Sequence, residues 1–324
     1  MNSTRNRLEH VDDRLFMTDG GLETTLIFHE GIELPYFAAF TLLATEQGTE
    51  RLRNYYRRYA QMAQSHGLGL MLESPTWRAS RDWGEKLGYY RERLAQANRK
   101  GVALMHEIRD AYETPESPML VSGNIGPRGE GYRVERAMTV RQAFDFHAEQ
   151  IGTFAQCGVD LVSVFTMNYV EEAVGVALAA RADELPCVVS FTVETDGRLP
   201  TGQSLAQAIE HTDAATDGHP AWYMINCAHP THFNHVLREE GAWRQRVRGL
   251  RANASKRSHA ELDEAPDLDA GDPVALGAEY LALRPWLPRL AVVGGCCGTD
   301  HRHVASLCAA LAAERRADEF AQAA

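Results

Sequence analysis

A strand-like apolar segment that recurs eight times constrains the fold of this chain more than any other feature. The eight segments are rich in β-branched residues, and longer stretches with helical periodicity separate them. They lie at residues 15–18, 68–72, 119–122, 161–164, 187–193, 222–225, 247–251 and 290–293. Strands that alternate with helices indicate parallel pairing and right-handed crossovers, so eight units predict an α/β fold, a closed (β/α)8 TIM barrel.

The helical stretches support this interpretation. They include residues 50–65, 88–112, 140–157, 170–182 and 204–212. An open doubly wound sheet is the alternative, but no Gly-x-Gly-x-x-Gly follows the first strand, which disfavours a dinucleotide-binding version. No linker rich in Pro, Gly or Ser divides the chain, so we expect residues 1–324 to form a single domain.

The charge of the chain restricts its partners. A formal net charge of −11 over 324 residues disfavours nucleic acid and anionic membranes, which both require clustered Lys and Arg. The N-terminus lacks the apolar stretch of a secretory signal, and no run approaches the roughly 18 apolar residues of a membrane span. We therefore expect a cytoplasmic protein with small-molecule partners, and a homo-oligomer is compatible with the sequence.

A polar segment at residues 253–273 follows the seventh strand and contains few large apolar residues. Irregular segments of this length inside a domain are typical of lids or binding loops. A disordered surface insertion is the alternative interpretation.

Three of the six cysteines follow strands whose C-terminal ends meet at one rim of a barrel. Cys227 follows the sixth strand, and Cys296 and Cys297 follow the eighth. Three thiolates with an open fourth position are typical of a catalytic zinc site, and the glycines at 294, 295 and 298 give the adjacent cysteines backbone freedom. Inert packing and a redox-active pair remain alternatives.

The other three cysteines, Cys157, Cys187 and Cys308, fall within helices or strands, where we interpret them as packing residues. His229 and His232 closely follow Cys227 and could supply a fourth ligand, which would close the site. A surface or supporting role fits them better, because zinc-binding histidines recur at tighter spacings.

Further motifs fall at strand ends. Asp19, Gly20 and Gly21 follow the first strand, residues 73–77 the second and residues 123–127 the third. Catalytic groups of TIM barrels gather at such positions, so these residues are candidates for substrate binding.

Together these motifs resemble the homocysteine S-methyltransferase family. The resemblance rests on Asp-Gly-Gly at 19–21, Asn-Cys at 226–227 and Gly-Gly-Cys-Cys-Gly-Thr at 294–299, and it extends over residues 19–307. Residues 74–77, 123–129 and 190–192 and Asn253 match further family elements in order. The resemblance implies a (β/α)8 barrel that binds Zn²⁺ through Cys227, Cys296 and Cys297.

The implied activity is transfer of a methyl group from a small donor to a zinc-activated thiol, homocysteine in most of the family. A free alkyl thiol has a pKa of about 8.5, and coordination removes its proton while the sulfur stays electron-rich. The resemblance also assigns substrate binding to Asp19 and Gly20, and we extend that expectation to Thr76, Trp77 and Asn253. Trp77, with Tyr36 and Phe37, could form an aromatic wall for a cationic donor.

The chain departs from the family at the residues expected to recognise the acceptor. Phe165 stands where the family carries a glutamate that grips the amino group of homocysteine, and residues 38–40 replace a family tryptophan. Glu73 stands where a neutral residue is more usual, and we hypothesise that it restores the missing charge as a substrate-binding residue.

Three functional classes therefore remain open. The first is a methyltransferase for homocysteine or another thiol, the second a zinc hydrolase, and the third a non-catalytic zinc- or thiol-binding barrel. Hydrolases favour His and carboxylate ligands, because thiolates make zinc-bound water less acidic, so the three cysteines argue against the second class.

Overall fold

The eight predicted strands close into one barrel. A computed structural model describes residues 2–265 and 267–323. Its strands are β1 Phe16–Met17, β2 Gly69–Glu73, β3 Met119–Ile125, β4 Leu161–Met167, β5 Cys187–Phe191, β6 Trp222–Asn226, β7 Val247–Ala252 and β8 Val292–Gly295. Each strand pairs in parallel with the next, and β8 pairs with β1. The (β/α)8 prediction is confirmed, while the assignment of 1–324 to one domain stays a prediction.

Helices surround the barrel, and five of them match the predicted helical stretches. They are α1 Asn2–Asp13, α2 Leu22–Thr24, α3 Glu46–His66, α4 Arg81–Lys86, α5 Arg91–Tyr112, α6 Val140–Gln156, α7 Val170–Ala182, α8 Leu205–Thr216, α9 Pro230–Phe233, α10 His259–Asp263, α11 Pro273–Leu283 and α12 His301–Ala323. Capping boxes start α6 at Thr139 and α8 at Ser204. None of the described helices has the length and apolarity needed to cross a membrane.

The barrel interior is apolar at one end and polar at the other. Phe16, Met71, Leu120 and Met224 form a buried cluster with Val11, which α1 contributes from the N-terminal ends of the strands. Side chains two positions further along a strand face the same side. The interior positions that follow on β2 to β7 are therefore buried polar residues, namely Glu73, Ser122, Ser163, Ser190, Asn226 and Arg251.

The larger apolar cluster lies between the barrel and its helices. Cys187 and Cys308 belong to it, and Cys157 packs against it from a half-buried position. Burial raises the pKa of both the Cys187 and Cys308 thiols to about 12. The interpretation of these three cysteines as packing residues is confirmed.

The polar segment after β7 contains a helix of its own. The side chains of Ser258 and Glu261 form a capping box that starts α10, and Asp272 caps the start of α11. Helix α10 was not predicted from the sequence, although Ser-x-x-Glu was a readable helix start, and the role of the segment as a lid or binding loop stays a prediction. Residue 266 lies outside the described residues.

Candidate active site

The three cysteines meet at the C-terminal rim of the barrel. Their sulfur atoms all lie within 4.8 Å of one another. The Sγ atoms of Cys227 and Cys297 are 3.9 Å apart, and Cys227 and Cys296 are paired as a disulfide with Cα atoms 5.5 Å apart. Zn–S bonds of about 2.3 Å in a tetrahedron place sulfurs about 3.8 Å apart, so the reduced cluster could hold a metal ion.

The three sulfurs differ in their exposure. Cys227 is buried, Cys296 is half-buried and Cys297 is exposed. An ion held by all three would therefore keep one side open to solvent. This arrangement is typical of a catalytic metal site, whereas a structural site is closed by a fourth protein ligand.

Asn226 holds the backbone from which Cys227 projects. Its Oδ1 accepts hydrogen bonds from the Thr166 backbone N–H at 3.0 Å and from the Ser190 hydroxyl at 2.7 Å, while its Nδ2 donates to Thr166 Oγ1 at 2.9 Å. Thr166 and Cys227 both have positive φ angles, 64° and 54°. Such angles are unfavourable for residues other than glycine, and the buried amide of Asn226 stabilises the turn at Thr166 through two hydrogen bonds.

The carbonyl oxygen of Cys227 receives two further hydrogen bonds. Asn253 Nδ2 donates to it at 3.0 Å, and Nε2 of His259 lies 2.5 Å from it. The other ring nitrogen of His259 lies 3.1 Å from a carboxylate oxygen of Glu194. The segment after β7 is thus tied to the cysteine cluster, and Asn253 contacts the backbone of a cysteine. Its predicted role in substrate binding stays a prediction.

The glycines around the cysteine pair serve two different needs. A Cβ at Gly294 would collide with the side chain of Thr18, and one at Gly295 with that of Thr299. Gly298 has a φ of 78°, which glycine adopts readily. The flexibility inferred from the sequence applies to Gly298, whereas the first two glycines permit close packing of β8 against its neighbours.

Asp19 lies at the rim, but its carboxylate is already bonded within the protein. Oδ1 accepts from Arg251 Nη2 at 2.6 Å, and Oδ2 accepts from the Tyr55 hydroxyl at 3.0 Å. The Gly20 carbonyl accepts from both of the same side chains. A direct bond from Asp19 to an acceptor amine would have to compete with this ion pair. The predicted substrate roles of Asp19 and Gly20 remain untested.

Glu73 and Thr76 lie below the accessible surface of the site. Neither carboxylate oxygen of Glu73 is solvent-accessible or has a hydrogen-bond partner among the described residues. The Thr76 hydroxyl donates to the Asn124 carbonyl at 2.8 Å and lies 2.7 Å from the Ser74 hydroxyl, which ties the loop after β2 to β3. Substrate contact by either residue stays a prediction and would require the site to open.

Trp77 contacts Arg78, a neighbour that was not anticipated from the sequence. The guanidinium carbon of Arg78 stands 4.1 Å from its ring centroid. Tyr36 lies beside Trp83, with ring centroids 5.7 Å apart, and both Tyr36 and Phe37 are about half exposed. The predicted wall of three aromatic residues is therefore not assembled, because the turn at 35–37 directs Tyr36 toward α4.

The histidines after Cys227 do not belong to the cysteine cluster. His229 lies 3.0 Å from a carboxylate oxygen of Glu279, and His232 lies 2.9 Å from the Lys256 carbonyl oxygen. Both histidines are buried, so the expected surface position is wrong, while the supporting role that was the other expectation stays a prediction. Desolvation lowers the pKa of His229 to about 4, which keeps its ring neutral at physiological pH.

Several residues of the site were not anticipated from the sequence. Arg251 projects from β7 with its guanidinium carbon 4.9 Å from the ring centroid of Phe165. The Tyr132 hydroxyl lies 3.4 Å from Cys297 Sγ, and its ring stacks on His259 with centroids 3.8 Å apart. Glu23, on α2, is half-buried beside the cysteine loop. The sequence could have pointed to these two residues by their position, because Arg251 lies near the C-terminal end of β7 and Glu23 closely follows Gly21.

Glu73→Gln should stabilise the protein at high pH and have little effect at low pH. Burial raises the pKa of Glu73 to about 7 from its usual 4.5, and the charge of Arg251 opposes this only in part. Since the folded state holds the proton more tightly, the wild type loses stability between about pH 4.5 and 7. At pH 8 we expect a gain of up to about 3 kcal/mol for the variant.

Urea unfolding from pH 4.5 to 8 measures this effect, with Glu135→Gln on the exposed surface as the control. A stability difference between Glu73→Gln and the wild type that does not change with pH would show that the buried carboxyl is not the cause.

Comparisons with known proteins identify the family of this chain. The family model described as homocysteine S-methyltransferase matches residues 16–311. The methionine synthase of Mycobacterium leprae is 25% identical over 333 residues, covering 94% of this chain and 25% of that protein. That of Mycobacterium tuberculosis is 24% identical over 287 residues, covering 82% of this chain and 21% of that protein. The chain thus spans about a quarter of the length of these curated relatives.

Solved structures show the same fold. The homocysteine methyltransferase MmuM from Escherichia coli in its oxidized form superposes with a TM-score of 0.73 at 20% identity, covering 95% of this chain and 99% of that one. Its metallated form gives a TM-score of 0.69 at 19% identity with the same coverage. With a family model that matches nearly the whole barrel and includes all three clustered cysteines, the chain belongs to the homocysteine S-methyltransferase family of methyltransferase enzymes.

Proposed function

We propose that this protein is a zinc-dependent S-methyltransferase that moves a methyl group from a small donor to a thiol, with homocysteine as the first candidate acceptor and methionine as its product. The observation that carries the proposal is the cluster of Cys227, Cys296 and Cys297, whose sulfurs converge while one side stays accessible. A three-sulfur donor set suits Zn²⁺. A metallated form of E. coli MmuM also supports metal binding in this family.

The three cysteines would hold the zinc, and the bound zinc would lower the pKa of an acceptor thiol at the open position. The chain's own residues then orient the reaction. Asn226 and Asn253 fix the backbone around Cys227, and the Tyr132 hydroxyl can donate a hydrogen bond to the Cys297 sulfur. Because Cys297 is exposed, the side of the cluster that it lines would remain accessible to small substrates.

A different thiol acceptor is the second candidate, and the position of Phe165 favours it. Phe165 is buried beneath Arg251, so the amine-binding glutamate of the family has no counterpart on β4. An ammonium without a partner in a partly dry pocket costs several kcal/mol. A non-catalytic thiol-binding barrel would share the cysteine cluster but would turn over no donor.

The decisive experiment is calorimetric titration of L-homocysteine into reduced, zinc-loaded protein in two buffers of different ionisation enthalpy. Reduction is required because the Cys227–Cys296 disulfide removes two of the three ligands. We expect one zinc per chain and release of about one proton on binding, since the thiol must ionise to enter the open position.

The oxidised protein is the matched control and should bind neither zinc nor thiol. Absence of binding by reduced protein that retains one zinc per chain would contradict homocysteine as acceptor. Thiols without the α-amino group would then be tested in the same way, and turnover with sulfonium or quaternary ammonium methyl donors would exclude the non-catalytic alternative.

A further inference from the structure

We propose that Glu23 and Arg251 recognise the ammonium and the carboxylate of an α-amino acid thiol, replacing the glutamate that Phe165 has displaced. This inference rests on the proposed function, because it assigns the acceptor subsite of the same centre. It differs from the hypothesis that Glu73 restores the missing charge.

Arg251 offers one unused edge to the site. Its Nε donates to the Gly295 carbonyl at 3.0 Å, and its Nη2 donates to Asp19 at 2.6 Å and to the Gly20 carbonyl at 3.2 Å. Nη1 has no hydrogen-bond partner among the described residues and is not among the fully buried atoms, so it retains accessible surface. Because three contacts fix the plane of the guanidinium, Nη1 is preorganised to bind a carboxylate.

The guanidinium of Arg251 lies next to the cysteine pair. Gly295, which accepts its Nε–H, directly precedes Cys296. The ring of Phe165 lies beneath the guanidinium, with 4.9 Å between guanidinium carbon and ring centroid, and thus supports its plane. A small acceptor with its sulfur at the open side of the cluster would bring its carboxylate toward Arg251.

Glu23 provides the complementary negative charge. The neighbouring Thr24 accepts a hydrogen bond from the Gly298 backbone N–H at 3.0 Å, which fixes α2 against the cysteine loop. No cationic group lies within 4.0 Å of the Glu23 carboxylate among the described residues, although the charges of Arg251 and Arg78 lower its pKa. Burial outweighs these charges and raises that pKa to about 7, as expected for a carboxylate without a close counter-ion.

Two other acidic groups near the cluster, Asp19 and Glu73, are less suited to bind the ammonium of a ligand. Asp19 is neutralised by Arg251, and Glu73 lies below the accessible surface. Among the described residues, Glu23 and the Nη1 edge of Arg251 therefore remain without a close partner beside the cysteine loop, and they do not form an ion pair with each other. A separated negative and positive group is complementary to a zwitterion. It suits a dianion or a simple amine less well.

The test is calorimetric titration of the full-length, reduced, zinc-loaded chain with three thiols. These are L-homocysteine, 4-mercaptobutanoate, which lacks the ammonium, and 3-mercaptopropylamine, which lacks the carboxylate. We expect the wild type to bind homocysteine at least about tenfold more tightly than either analogue.

Glu23→Gln should lower homocysteine affinity by about tenfold and leave that of 4-mercaptobutanoate within about twofold. The paired replacement Asp19→Asn/Arg251→Gln, which keeps the interior charge balanced, should weaken both carboxylate-bearing thiols and spare 3-mercaptopropylamine. Glu135→Gln, on the exposed surface, is the matched control. Should the paired variant fail to fold, the three ligands and Glu23→Gln still decide the question.

Equal affinity of the wild type for all three thiols, or a uniform loss in Glu23→Gln, would overturn the assignment while leaving thiol activation intact. Failure of every thiol to bind reduced protein with one zinc per chain would overturn the proposed function together with this inference. The two failures are therefore distinguishable.

Discussion

Replacing Cys297 with serine is expected to lower zinc affinity by at least about a hundredfold and to reduce methyl transfer to background. A hydroxyl is a much weaker ligand for Zn²⁺ than a thiolate, and the cluster supplies only three protein sulfurs. Cys297 is the exposed member of the cluster, so the substitution opens no cavity in the core. Competition with a chromophoric chelator measures the affinity, and the zinc content of the purified protein gives the occupancy.

Cys157→Ser is the matched control, because Cys157 is half-buried at the C-terminal end of α6 and is not part of the cysteine cluster. We expect it to retain one zinc per chain. Wild-type zinc affinity in Cys297→Ser would instead place the metal elsewhere and remove the main support for the proposed function.

Asp19→Asn is expected to destabilise the fold by about 3 kcal/mol. It leaves the Arg251 guanidinium buried without the carboxylate that contacts it at 2.6 Å. Loss of one partner of a buried ion pair costs about 3–5 kcal/mol, whereas replacement of both partners is often nearly neutral. Burial lowers the pKa of the Arg251 guanidinium, but the charges of Asp19 and Glu73 outweigh this and raise it, so Arg251 stays charged and needs its partner.

Urea unfolding of Asp19→Asn, Arg251→Gln and the double variant measures the coupling between the two side chains. We expect the double variant to recover most of the stability lost in Asp19→Asn. A coupling energy below about 0.5 kcal/mol would mean that the pair contributes little and that Asp19 is free to contact a substrate.

The barrel and its cysteine cluster could be predicted from the sequence because both follow from chain topology. Short apolar strands that alternate with helices have few packing solutions, and the ends of parallel strands meet at one rim. Cys227 and Cys296 therefore had to approach each other, although 69 positions separate them in sequence. The start of α10 was also readable from Ser258 and Glu261, even though the segment was expected to be irregular.

The partners of individual side chains depended on the tertiary structure. The ion pair between Asp19 and Arg251, which are 232 positions apart, could not be anticipated from the sequence. The same holds for the contact of Arg78 with Trp77 and of Tyr36 with Trp83. Strand order specifies which residues reach the rim. The ion pairs, accessible edges and stacked rings within it are decided by distances across the barrel, which local sequence does not encode.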